Sequence, residues 1–170
     1  VLGEAYKESG PIFTYGPLIH NEQVMKLLES KGVQVANDIS AIKHGTIIIR
    51  AHGIPPQDRK LLKASGLKII DATCPRVARV QALIRYHTHK GYLAVIVGEP
   101  DHPEVIGLKG HGNGNAVVIS TSEEVSVLPE SEKVLVVAQT TQEKQAYERI
   151  VETIKKRFPE ALVFNTICGA

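Results

Sequence analysis

The sequence has no tryptophan, three phenylalanines, one methionine and two cysteines. Without Trp and with so few Phe it offers few flat rings on which the bases of a single strand could stack. Charge does not compensate, because 20 basic and 18 acidic residues are spread along the chain for a formal net charge of +2, with no block of like charges. No nucleic-acid partner is expected. Long apolar runs are also missing. "TIII" (46–49) and "LAVIV" (93–97) are strand-length, far short of the roughly 20 residues of a membrane helix, so no membrane partner is expected either. No charged-then-apolar leader opens the chain, and Cys74 and Cys168 stand far apart. Both features fit reduced thiols in a soluble, cytoplasmic protein better than a disulfide framework.

What the chain does have is 43% hydrophobic residues over 170 positions, enough to bury a core. Apolar, β-rich runs alternate with helical patterns, which is the signature of a parallel α/β sheet. The expected strands are "IFTY", "IIIRA", "KIIDA", "LAVIVG", "AVVIS", "VLVVAQ" and "LVF". Between them, "NEQVMKLLESKG", "PPQDRKLLKASG", "PRVARVQALIRYHTHKG" and "TQEKQAYERIVETIKKRF" carry apolar residues at three- and four-residue spacing and read as amphipathic crossover helices. A break near Lys90 and Gly91 divides the chain into two consecutive parallel-sheet α/β units, 1–90 and 91–166, with 167–170 opening a further one. "GHGNGN" is a polar loop and not a phosphate-binding fingerprint, because "AVVIS" after it reads as a strand.

The chemistry-bearing residues recur at one kind of place. His20 follows "IFTYG", His52 follows "IIIRA", Cys74 follows "KIIDAT", His102 and Glu104 follow "LAVIVGEPD", Thr140 follows "VLVVAQ" and Cys168 follows "LVFNTI". Open α/β sheets bind ligands off the carboxyl ends of their strands, so these residues are expected to converge on one site. Each also has a plain structural reading. His20 and His102 suit helix caps, Thr140 an N-cap and Glu104 a first helical turn. Cys74 suits a buried core thiol, or a thiolate beside the helix N-terminus that Pro75 would open. As a set they suit an anion held by histidines, a carboxyl that moves protons and thiolates that hold either zinc or part of an iron–sulfur cluster. His44, His87, His89 and His111 fall on expected helix or loop surfaces and are given no role.

"GPLIHN" (16–21), "AHG" (51–53), "DATCP" (71–75), "DHPEVIG" (101–107), "QTT" (139–141) and "NTIC" (165–168) occur in this order along the chain. The series resembles the 4-hydroxy-3-methylbut-2-enyl diphosphate reductases, the LytB or IspH family. The resemblance implies an oxidoreductase of isoprenoid biosynthesis, carrying a 4Fe-4S cluster, that reductively removes the allylic hydroxyl of its diphosphate substrate to give isopentenyl and dimethylallyl diphosphates. Ferredoxin or flavodoxin would donate the electrons. Carried over by position, Cys74 and Cys168 would ligate the cluster, His20, His52 and His102 would hold the diphosphate, Glu104 would supply a proton, and Thr140 would bond near the leaving hydroxyl. The family's first cysteine motif, a "GFCxGV"-like stretch, does not occur in this sequence, which reads as the first two of the family's three α/β units. With two cysteines the alternative reading is a catalytically silent α/β fragment or anion-binding module. A zinc hydrolase is the weakest reading, since no HExxH or paired-cysteine knuckle is present.

Overall fold

The computed structural model describes residues 2–8, 10–16, 22–36 and 38–168. In chain order the helices and strands are α1 (Leu2–Ala5), β1 (Ile12–Tyr15), α2 (Glu22–Ser30), β2 (Val33–Ala36), β3 (Thr46–Ile49), α3 (Pro56–Ala64), β4 (Lys68–Asp71), α4 (Pro75–Thr88), β5 (Leu93–Val97), α5 (Pro103–Gly110), β6 (Ala116–Ile119), β7 (Val134–Ala138), α6 (Lys144–Arg157) and β8 (Leu162–Val163). Short 3-10 turns lie at Ile39–Ala41 and Glu123–Val127. Three helices begin on proline, whose missing N–H costs nothing in the first turn. Past the end of α4, Gly91 takes a φ of +82°, the left-handed conformation that glycine adopts freely.

The chain forms two compact units, residues 1–74 and 75–170. Each holds a four-stranded, all-parallel sheet, ordered β2-β1-β3-β4 in the first and β6-β5-β7-β8 in the second. The α/β class with two parallel-sheet units is therefore as the alternating pattern implies. The two sheets also share one topology: the first strand of each unit is central, the second flanks it, and the third and fourth extend the other side. In each, the order reverses between the two central strands, β1 and β3 or β5 and β7.

Burial explains why these strands read as apolar runs. β3 is buried throughout, with Ile47 and Ile49 in one hydrophobic cluster and Ile48 in another. Alternate side chains of a strand point to opposite faces, so both faces of the sheet are covered. In the second unit Val95, Val97, Val136 and Ala138 share a cluster with Tyr147, Ile150 and Ile154 of α6. Ala94, Ile96, Leu135 and Val137 pack instead with Val80 and Ile84 of α4 and with Val105 and Leu108 of α5.

That packing moves the expected boundary at residue 90 to Cys74–Pro75. α4 buries Val80 and Ile84 in the second unit's core, so it belongs with that unit. His87 also departs from its expected surface position. It is 9% exposed, its ring packs edge-on to Tyr86 and Tyr92 at centroid distances of 5.0 and 5.3 Å, and its Nδ1 bonds the Leu83 carbonyl at 2.9 Å. His111 is half-buried as the C-cap residue of α5, whereas His44 and His89 are exposed. Thr140 is not an N-cap. Glu143 caps α6, its carboxylate accepting the Gln145 and Ala146 N–H groups at 2.8 Å each.

Candidate functional site

In the second unit, four of the residues singled out by sequence stand at the carboxyl edge of the sheet. β5 leads through Gly98 to His102, whose ring Nδ1 accepts the Glu104 N–H at 3.2 Å and caps α5. An accepting Nδ1 leaves the proton of the neutral ring on Nε2. Glu104, two residues on, is 2% exposed. Its Oε1 accepts the Thr140 N–H and its Oε2 accepts the Thr140 hydroxyl, each at 2.7 Å. A buried carboxyl is costly unless its oxygens are bonded, and one residue, itself buried, meets both. The Thr140 carbonyl in turn accepts the Cys168 N–H at 2.6 Å. Glu104, Thr140 and Cys168 are thus linked in series. Thr141 is turned elsewhere and is exposed, its Oγ1 accepting from Gln139 Nε2 at 2.8 Å.

Two residues outside the sequence reading support this arrangement. Gln139 is buried, and its Oε1 accepts the Glu99 N–H at 3.0 Å while its Nε2 holds Thr141. It therefore ties the loop that leads to Glu104 to the turn that carries Thr140. Thr166 bonds both backbone groups of Ala138 through its hydroxyl, at 2.8 and 2.6 Å, and so anchors the stretch leading to Cys168. Beside that stretch, Arg76, Arg79, Phe164 and Thr166 line a cavity of about 120 Å³.

The first unit repeats the backbone scheme. Past the strand ends, Ala72 N–H donates to Ile49 O and Cys74 N–H to Ala51 O, each at 2.9 Å, as Cys168 N–H does to Thr140 O. Gly53 N–H closes a turn onto Arg50 O at 2.9 Å, with half-buried His52 inside it. His52 and Cys74 therefore belong to the same sheet edge. His20 lies outside the described residues. Tyr15 donates to Asp58 at 3.0 Å, and burial, then that bond, raise its phenol pKa. A larger pocket of about 580 Å³ lies against Tyr15, Ile39 and Leu61, but it contains none of the residues expected to be functional. Size does not find the chemistry here.

Asp71 ends β4 and shapes the turn to Cys74. It accepts the Thr73 N–H at 3.0 Å and pairs with Arg59. Burial acts to raise the Asp71 pKa, but the bonds from Thr73 and Arg59 outweigh it and hold the carboxyl below its ordinary range. A depressed folded pKa adds stability above the unfolded value of about 3.9 and loses it as the pH falls through the folded one. Asp71→Asn is accordingly expected to melt below the parent chain at pH 7, with the gap closing as the pH drops below about 4. Thermal melts at pH 7 and pH 3 check this, and a gap that stays constant with pH would contradict it.

Among the described residues no three His, Cys, Asp or Glu side chains form a group able to hold a metal ion. Cys74 and Cys168 are free thiols, each part-exposed at a sheet's carboxyl edge with its backbone anchored. Each is an accessible thiol of the kind that can ligate an iron–sulfur cluster. No helix among those described is long and apolar enough to cross a membrane.

What sequence reasoning passed over were the residues directly at the strand ends, Arg50 and Gln139. The available signal was a polar group closing a buried strand, "TIIIR" and "LVVAQ".

The family model described as "LytB protein" matches residues 1–170. The 4-hydroxy-3-methylbut-2-enyl diphosphate reductase of Alkaliphilus oremlandii is 39% identical over 97% of this chain and 59% of its own length. A solved structure of (E)-4-hydroxy-3-methyl-but-2-enyl diphosphate reductase, the terminal enzyme of the non-mevalonate pathway, is 43% identical with a TM-score of 0.88, covering 97% of this chain and 60% of that one. The E-1-hydroxy-2-methyl-but-2-enyl-4-diphosphate reductase of Plasmodium falciparum is 30% identical with a TM-score of 0.93, covering 99% and 55%. The chain thus spans about three fifths of the length of the curated relatives it matches. With a family match along its whole length, the chain belongs to the LytB protein family.

Proposed function

We propose that the protein is an iron–sulfur reductase of the non-mevalonate isoprenoid pathway. It takes 4-hydroxy-3-methylbut-2-enyl diphosphate, two electrons and two protons to isopentenyl or dimethylallyl diphosphate and water. The observation that carries this reading is the buried Glu104–Thr140 pair at the carboxyl edge of a parallel sheet, in a chain whose relatives bear the reductase's name.

Loss of the hydroxyl as water needs a proton at the departing oxygen, and the completed product needs one at carbon. Glu104 is the proton source. Thr140 holds both of its oxygens, and the Thr140 hydroxyl, which can donate and accept at once, bonds near the leaving oxygen and carries the proton toward it. His52 and His102, with His20, bind the diphosphate, and imidazoles at strand ends and helix caps suit that charge. Cys74 and Cys168 supply thiolates to a 4Fe-4S cluster. Such a cluster, when bound there, would supply the reducing electrons. A ferredoxin or flavodoxin is the donor, and the setting is cytoplasmic.

Complementation tests this reading. The full-length gene is expected to restore growth to a bacterium depleted of its own reductase, and Cys74→Ser is expected to abolish the rescue. Failure of the unaltered gene to rescue despite soluble expression would favour the second reading, a silent anion-binding module. That reading is supported by the presence of only two cysteines in these 170 residues.

A further inference from the structure

Arg50 is the first residue after β3, a central strand of its sheet. Across the sheet from it is Gly16, the first residue after β1. A Cβ placed on Gly16 would come within 2.8 Å of Arg50 Nη1, so the guanidinium lies against the glycine. This is where the strand order reverses, the position at which open parallel sheets bind ligands.

The second unit offers an internal comparison. Gln139 follows β7 as Arg50 follows β3, and Gly98 follows β5 as Gly16 follows β1. A Cβ on Gly98 would lie 2.8 Å from Gln139 Oε1, so the same contact recurs. There it is satisfied: Gln139 accepts from Glu99 N–H and donates to Thr141.

Arg50 has no such option. A guanidinium carries five donors and no acceptor, so it cannot take the next residue's backbone N–H as Gln139 Oε1 takes that of Glu99. Its Nε is buried without a hydrogen-bond partner, and none of the ion pairs among the described residues includes it. Among the carboxylates of its unit, Asp58 accepts from Tyr15, Asp71 pairs with Arg59, Glu8 pairs with Lys68 and Asp38 bonds Ser40. Burial lowers the Arg50 pKa, yet an arginine starts so high that it stays charged at neutral pH. A half-buried cation with no ion-pair partner among the described residues is costly to the free protein, and an anionic ligand would take its forked donors.

We propose that Arg50 binds a phosphate group of the ligand at the carboxyl edge of the first unit's sheet, making it a diphosphate contact additional to the histidines. The identity of the ligand rests on the function proposed above; the demand for an anion rests on Arg50 alone.

The test is calorimetric titration of the full-length protein with inorganic pyrophosphate, and separately with inorganic phosphate. Saturable pyrophosphate binding, tighter than phosphate, is expected. Arg50→Gln is expected to weaken it at least about ten-fold, and Arg50→Lys, which keeps the charge but not the fork, by a smaller factor. Absence of saturable binding to the parent protein, or unchanged affinity in Arg50→Gln, would overturn the proposal; equal affinity for phosphate would overturn its diphosphate assignment. If Arg50→Gln melts early, Arg50→Lys decides: a lower affinity at an unchanged melting temperature supports the contact, and unchanged affinity refutes it. Failure of the full-length protein to act as a reductase would leave this binding result standing, so the two readings fail separately.

Discussion

Glu104→Gln in the full-length protein is expected to lower kcat by roughly 10²–10⁴-fold while leaving KM within a small factor of the parent. Glutamine fills the same space and can keep both contacts. Its Oε1 would accept the Thr140 N–H, and its Nε2 would donate to the Thr140 oxygen once that hydroxyl rotates. What it cannot do is release a proton to the leaving oxygen. Glu104→Ala is less informative, because it strands the buried Thr140 N–H at a cost of about 1–3 kcal/mol. If Glu104 serves only to join α5 to the end of β7, the Gln variant will melt lower and turn over normally. Steady-state kinetics with a chemical reductant, run beside thermal melts, separate the two outcomes. His102→Ala should act differently, raising KM first.

The 170-residue chain by itself is expected not to retain a stable 4Fe-4S cluster after anaerobic reconstitution. Two thiolates leave a four-iron cluster short of its usual cysteine ligands, and no group of three metal-binding side chains forms among the described residues. In the full-length protein, Cys74→Ser and Cys168→Ser should each abolish the brown colour and reduce bound iron and sulfide well below stoichiometry. Stoichiometric, chelator-resistant iron and sulfide on the 170-residue chain would contradict the assignment. Normal cluster content in either serine variant would remove that cysteine from the ligand set.

Much of this was readable from residue order, for physical reasons that also mark where reading stops. "KIIDATCPRV" was legible because a buried parallel strand is continuously apolar and Pro75 suits a first helical turn, so the edge position of Cys74 followed. β2 was not expected, as "VQVA" is too short to show strand alternation directly after the helical pattern that runs to Gly32. α5 carries glycines at Gly107 and Gly110, which weaken a helical pattern. It forms because His102 caps it and Val105 and Leu108 are buried. His87 was readable and misread, since Val80, Ile84 and His87 share one helical face and that face is the buried one.

The Glu104–Thr140 bond could not be read at all. The two residues are far apart in sequence, and their pairing depends on β5 and β7 lying side by side. Thr140 looked like a cap because threonine before a helix often is one, until Glu143 proved to hold the first turn. The unit boundary depends likewise on which core takes up Val80 and Ile84, and the spacing within α4 does not specify that.

We propose that the protein removes an allylic hydroxyl by reduction, with Glu104 as the proton source. Anaerobic product analysis tests it most directly, using reconstituted full-length protein, 4-hydroxy-3-methylbut-2-enyl diphosphate and a chemical reductant, with mass spectrometry of the diphosphates formed. Isopentenyl and dimethylallyl diphosphates are expected from the parent protein, and unconverted substrate from Glu104→Gln with its cluster intact. Unconverted substrate from a parent protein with full cluster content, or equal product from parent and variant, would contradict it.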